Sequence, residues 1–261
     1  MNSEWFVEFW RYRELLYFLA WRDVKVRYKQ AALGASWAVI QPLLTMVIFT
    51  LFFGGLARVP SDGIPYPLFS FCALVPWTYF STILGHAGNS LVSNAQLITK
   101  VYFPRVLLPA ATVLSGLVDF LVGGVFLALM MIYYHVRPGW SLLLAPLFVV
   151  GMVVLAFSAS MFLAALNVRY RDVKYALPFL VQIWLFVTPI IYPITFLTPK
   201  MRRLMVFNPM AGLLEGFRSS LLATRRMDWR LAGISAALTL ILLVIGALYF
   251  RKTEKTFADI V

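Results

Sequence analysis

Six stretches of this chain run for twenty residues or more with no Lys, Arg, Asp or Glu other than Asp119: Gln30 to Ala57, Gly63 to Thr99, Val106 to Val136, Pro138 to Val168, Tyr175 to Pro199 and Leu231 to Phe250. A helix needs about 20 mainly apolar residues to cross the roughly 30 Å of hydrocarbon in a bilayer. The pattern predicts an all-α integral membrane protein of six transmembrane helices, over 35–57, 66–86, 106–132, 142–166, 177–196 and 231–250. The apolar runs are continuous and lack the two-residue alternation of lipid-facing strands, which argues against a β-barrel.

Two segments outside these runs carry a helical period. Trp5, Phe9, Tyr12, Leu16 and Leu19 recur at four- and three-residue intervals, with Glu4, Glu8 and Arg11 on another face, which predicts an amphipathic helix in the membrane surface. Such a helix serves as an anchor or takes part in lateral gating. Between the fifth and sixth spans, Leu213, Leu214, Phe217, Leu221 and Leu222 fall at helical spacing around Glu215 and Arg218, predicting short interfacial or re-entrant helices. The whole chain reads as one transmembrane domain: a cytoplasmic interfacial helix over 1–30, a six-span bundle over 31–250 and a cytoplasmic tail over 251–261.

Composition agrees, with 61% hydrophobic and 13% charged residues against about 25% charged in a soluble domain. The net charge of +12 reads as a topology signal and not as nucleic-acid binding, because basic residues mark the cytoplasmic side of membrane proteins. With six spans, 14 of the 23 Lys and Arg fall on the side of the termini, which favours cytoplasmic termini. The discordant loop between spans five and six holds Lys200, Arg202, Arg203, Arg218, Arg225, Arg226 and Arg230, whose charge suits lipid headgroups or another phosphate. Glu4, Glu8, Arg11, Arg13 and Glu14 interrupt any signal-peptide core, and the single Cys72 excludes an internal disulfide.

Prolines recur within the apolar runs, and the fifth carries three, Pro178, Pro189 and Pro193. Each removes a backbone donor, a break tolerated at membrane depth where protein or a water-filled cavity satisfies the freed carbonyls. That span is the leading pathway-lining element, with packing kinks as the alternative. Asp119 is an intramembrane carboxylate with no Lys, Arg or His within a turn or two on its own helix. Such a group marks a functional site by default, and a protonated or hydrogen-bonded structural role competes with a proton relay. Among catalytic signatures, the chain has no phosphate-binding Gly-x4-Gly-Lys-Ser/Thr loop, no His-Glu-x2-His zinc motif and no Gly-x-Ser-x-Gly elbow, and His86 and His135 lie in different spans. No catalytic or metal-binding residues are assigned, and the chain needs an external energy source or none.

The stretch from Asn89 to Pro104 is nearly uncharged and moderately apolar where an exposed loop is normally polar. A short helix presenting Leu97, Ile98, Val101 and Tyr102 would suit docking into a partner's groove. Here the chain resembles the ABC transporter permeases that export polysaccharides, O-antigen and teichoic acids. The resemblance rests on Trp-Arg-Asp-Val-Lys-Val-Arg-Tyr-Lys-Gln from Trp21 to Gln30 with Leu33, Gly34 and Trp37, and on Leu-Ile-Thr-Lys-Val-Tyr-Phe-Pro-Arg from Leu97 to Arg105 with Pro109. It continues in Asn-Val-Arg-Tyr-Arg-Asp-Val from Asn167 to Val173, Thr-Pro-Ile-Ile-Tyr-Pro from Thr188 to Pro193, and Asn208-Pro209-Met210, in family order over almost the whole chain.

The resemblance implies a homodimer joined to two ABC ATPase subunits, which bind the ATP and Mg, in the bacterial cytoplasmic (inner) membrane with both termini cytoplasmic. The substrate class it implies is a lipid-linked polysaccharide such as O-antigen or capsule. Gln96, Leu97, Ile98, Thr99, Lys100 and Val101 would form the ATPase-coupling helix, and Met1 to Tyr28 the surface helix and the entry to span one. Asn208 to Leu222, with Asn208, Pro209, Glu215 and Arg218, would form the external gate. Spans one and five would flank a lateral portal for the lipid-linked sugar chain. Trp37, Phe49, Phe52, Phe53, Trp184, Phe186 and Tyr192 lie on those two helices, where they would contact a sliding glycan or simply face lipid and the interfaces. The alternatives in view are an ABC exporter of small lipophilic compounds, a secondary transporter, which two inverted halves would mark, and a membrane glycosyltransferase, which an acidic cluster at the membrane face would mark.

Overall fold

The computed structural model describes residues 10–29, 36–223, 227–254 and 257. The expectations for Trp5 and Phe9, for Leu33 and Gly34, for Arg225 and Arg226 and for most of the tail after Glu254 lie outside them. The described residues form helices and no strand: α1 (Arg13–Lys29), α2 (Trp37–Phe49, continued by a π-helix Thr50–Leu56), α3 (Tyr66–Ser93), α4 (Ala95–Lys100), α5 (Leu107–Tyr133), α6 (Ala145–Arg169, entered by a 3-10 turn Trp140–Leu144), α7 (Val173–Val187), α8 (Pro199–Met205), α9 (Pro209–Leu222) and α10 (Trp229–Glu254).

Five helical runs, Trp37–Leu56, Tyr66–Ser93, Leu107–Tyr133, Trp140–Arg169 and Trp229–Glu254, are long and apolar enough to cross a bilayer. The sixth expected crossing differs. The sequence predicts a helix over 177–196, but α7 runs from Val173 to Val187, 15 residues, or about 22 Å at 1.5 Å per residue. Thr188 precedes Pro189, and a residue before proline is pushed out of the α region, so Thr188 turns extended (φ −93°, ψ 141°). The chain then runs through Pro193 and a 3-10 turn, Ile194–Phe196, into α8.

α8 and α9 start by the same local chemistry. The Thr198 hydroxyl accepts from the Met201 amide, Asn208 Oδ1 accepts from the Met210 amide, and Pro199 and Pro209 occupy the first helical positions, where no amide is needed. α9 is buried along nearly its whole length, so it enters the bundle rather than lying on it.

α3 is the central post: from Leu68 to Trp77 every residue is buried, and it packs against α2, α5, α6 and α7. Close approach at small residues sets the crossings. A Cβ added to Gly246 on α10 would lie 2.7 Å from the Ser158 carbonyl oxygen on α6, and one added to Gly116 on α5 would lie 3.0 Å from Ile83 on α3. The buried apolar residues form two clusters. One, with Leu16, Leu19, Ile98, Phe103, Val168 and Phe250, lies where α1, α4 and the end of α10 meet; the other fills the middle and the opposite end, where α9 sits. The described ends of the chain therefore share the α4 end.

Candidate functional site

α4 forms over Ala95–Lys100 within the segment expected to dock a partner, with Val101 leaving it in extended conformation. Its faces are divided. Ile98 is buried and Leu97 is partly buried against the α4-end cluster, so these two fasten α4 to its own chain. Val101 is 52% exposed and Tyr102 86% exposed, with Gln96, Thr99 and Lys100 also outward. Of the apolar residues expected to present themselves to a partner, Val101 and Tyr102 do so and Ile98 does not. Behind α4, Asn167 Nδ2 donates to the Gly88 carbonyl oxygen (2.9 Å) and to Asn89 Oδ1 (3.0 Å), tying the Asn167 to Val173 segment to α3.

At the opposite end, Asn208 joins α7 to α9. Trp184 Nε1 donates to Asn208 Oδ1 and Asn208 Nδ2 donates to Thr188 Oγ1, each over 3.0 Å. Arg218, 4% exposed, lies on the α7 break: Nη2 donates to the Pro189 carbonyl (2.8 Å) and the Ile190 carbonyl (3.3 Å), and Nη1 to Glu215 Oε2 (3.2 Å). Its guanidinium also sits 3.9 Å from the Phe69 ring centroid. The broken helix frees carbonyls that need donors, and Arg218 supplies two of them. α9 is thus fixed to the end of α7 at two buried places: Asn208, ahead of Pro209, bonds Trp184 and Thr188, and the Arg218–Glu215 pair holds Pro189 and Ile190 beside Phe69 of α3.

The third assembly surrounds Asp119. Its carboxylate accepts from the Arg27 guanidinium and the Tyr28 hydroxyl, both at the end of α1. No neighbour on α5 supplies that partner; it comes from 92 residues away in sequence. An Arg beside the carboxylate offsets much of the cost of keeping either charge at membrane depth. Next to the pair, a cavity of about 270 Å³ opens between α2, α3 and α5, lined by Trp37, Gln41, Thr78, Thr82 and His86 among others.

The aromatics expected along the pathway divide. Trp37, Phe52 and Phe186 are more than half exposed. Phe49 is buried edge-on to Phe53. Trp184 packs edge-on against Phe80 at 5.2 Å and Trp77 at 6.3 Å, and the Tyr192 hydroxyl donates to the Phe186 carbonyl.

The family described as ABC-2 type transporter matches residues 14–222. The chain is 30% identical over 255 residues to the O-antigen export system permease protein RfbA of Myxococcus xanthus, covering 97% of both chains. It is 29% identical to the protein of the same name from Klebsiella pneumoniae, with 95% of each covered, and 21% identical to the polysialic acid transport protein KpsM of Escherichia coli, covering 90% of this chain and 91% of that one. With its helical order, apolar runs and most of its length accounted for by one family, the chain belongs to the ABC-2 type transporters.

Proposed function

We propose that this chain is the membrane-spanning permease subunit of an ATP-driven exporter that carries a lipid-linked polysaccharide, such as O-antigen or capsule, across the bacterial inner membrane. The observation that carries the reading is its end-to-end similarity to an O-antigen export permease and to a polysialic acid transport protein, two names that each carry a glycan. Two copies of the chain pair, and two copies of an ABC ATPase, which hold ATP and Mg, dock on their cytoplasmic faces. The exposed Val101 and Tyr102 beside Gln96, Thr99 and Lys100 support a docking surface at the α4 end, and the Lys and Arg excess there supports cytoplasmic termini.

α2 and α7 line the conduit. Only 11% of the α2 span's apolar window is buried, and α7 buries only Leu177, which leaves the faces of these two helices open to a second copy. Nucleotide binding in the motor favours one arrangement of the pair over another, and that difference in affinity drives the switch. At the far end the Arg218 joint carries α9 with α7 as one gate element.

The test is co-purification with a candidate ABC ATPase from the same cell. Wild-type chain is expected to elute with the ATPase, and V101E/Y102E to elute alone at unchanged folded yield. An ATPase that never binds the wild-type chain would contradict the reading. Retained binding by V101E/Y102E would move the docking surface away from α4.

A further inference from the structure

The chemistry of the uncovered positions separates lipid from water. On α5 the exposed positions include Leu114, Leu121, Val125, Leu129 and Ile132, and on α10 they include Leu240, Ile241, Val244, Ile245 and Leu248, as lipid contact requires. α3 is different. Between Leu68 and Leu91 the positions that are not buried are Thr78, Ser81, Thr82, Gly85, His86 and Asn89, every one polar or glycine. Their three- and four-residue spacing puts them on one stripe of a helix whose other faces are packed. The imidazole of His86 and the hydroxyls of Thr78 and Thr82, left without a partner in hydrocarbon, would lose their hydrogen bonds at a cost of several kcal/mol. The stripe therefore meets a polar phase.

The cavity beside Asp119 opens on the same face, since Thr78, Thr82 and His86 line both. Among the described residues the side chains of Thr78, Thr82 and His86 make no hydrogen bond with protein, and Gln41 across the cavity is likewise free. Its wall combines an aromatic plate, Trp37, with an amide, two hydroxyls, an imidazole and the Arg27–Asp119 pair. At about 270 Å³ it lies at the small end of ligand sites, which run from about 300 to 1,000 Å³. The space suits one sugar ring better than an oligosaccharide.

Charge decides between sugar and diphosphate. Asp119 neutralises Arg27, so the pair offers a phosphate anion no net positive charge. A ring with several hydroxyls finds donors, acceptors and an aromatic face at no net charge.

We propose that this cavity and the polar stripe of α3 form a glycan-contact site, in which Gln41, Thr78, Thr82 and His86 bond the hydroxyls of a single sugar unit as the polymer passes α2. The proposal rests on the polysaccharide-export reading and assigns the cytoplasmic half of the path to polar groups of α3, beside the aromatics of α2 and α7.

The experiment uses the full chain with its ATPase, in membranes from its native cell, carrying Cys72→Ala and one of Ser81→Cys, Thr82→Cys or Leu121→Cys. A membrane-impermeant thiol reagent is applied to opened vesicles from cells that make the lipid-linked glycan and from cells blocked in its synthesis. S81C and T82C are expected to label where the lipid-facing L121C does not. Glycan is expected to slow that labelling by about tenfold, the fraction left free when ligand stands near ten times its Kd. Labelling without protection reduces the stripe to a water-lined surface and overturns the proposal, as does labelling no faster than L121C. Each variant is quantified in the membrane, so if one fails to insert the other carries the test. Surface glycan is scored in parallel: its persistence in cells lacking this chain overturns the export reading, whereas its loss alongside unprotected T82C overturns the site alone.

Discussion

Arg218 shows how a single side chain stabilises a break in a membrane helix. Its guanidinium meets Glu215, two carbonyls freed at Pro189 and Ile190, and the face of Phe69, with almost no water contact. Removing one member of a buried pair leaves an uncompensated charge, typically about 3–5 kcal/mol. R218M is therefore expected to lower the thermal midpoint of the purified chain sharply, and E215L/R218M to recover part of the loss. R218K keeps the charge but not the fork that reaches four partners, so it falls between wild type and R218M. A midpoint unchanged in R218M would mean the joint contributes nothing. At Asp119 the expectation is coupling: a double-mutant cycle with R27Q and D119N gives an interaction energy of about 0.5–3 kcal/mol, the range for contacting residues. Additive effects would deny the pair. The sequence marks Asp119 as unusual but not its partner, because Arg27 lies on another helix and no local spacing relates the two.

At the scale of elements, the runs that could be read were those governed by local rules. Five of the six apolar windows became long helices, and Thr198 and Asn208 announce the starts of α8 and α9 by capping. The fifth span differs from its hydropathy window at both ends, running from Val173 to Val187 and not over 177–196. Hydropathy continues past Val187, but the bias imposed by Pro189 on Thr188 ends the helix there. Ile98 turns inward, and the sequence conceals this for a different reason: on a six-residue helix periodicity cannot say which apolar face meets its own chain and which meets a partner. Accordingly I98D is expected to reduce the amount of folded chain, whereas V101E/Y102E leaves it unchanged, measured as monodisperse protein after extraction. Helix crossings give a further check. G246A forces a methyl group to 2.7 Å from the Ser158 carbonyl and should destabilise the α6–α10 contact. G233A meets open space and should be neutral or stabilising by up to about 1 kcal/mol, the helix-propensity difference. Equal thermal midpoints for the two would contradict the close crossing.

For the molecule as a whole, packing is uneven. α3, α5, α6 and α10 form a packed body, while α2 and α7 leave aromatic and aliphatic faces uncovered and α4 displays Val101 and Tyr102 at the end that carries the positive charge. Cysteines placed at Phe52 or Phe186, the exposed aromatics of the two helices, are expected to cross-link two copies in membranes, whereas one at Leu248 on α10 is not. The reverse pattern would put the conduit elsewhere. The family was legible from dispersed motifs because each sits where the structure needs it: at the end of α1, in α4, at the α6–α7 turn, at the α7 break and at the cap of α9. The polar stripe on α3 escaped notice because it lies within a run whose average is apolar, and only burial reveals which of its residues are uncovered. The central claim is export of a lipid-linked glycan, and the most direct measurement is to remove this chain from its native cell and locate the polymer. The account predicts that surface glycan disappears while lipid-linked polymer accumulates on the cytoplasmic face of the inner membrane, both restored by the wild-type chain. Unchanged surface glycan without this chain would contradict it.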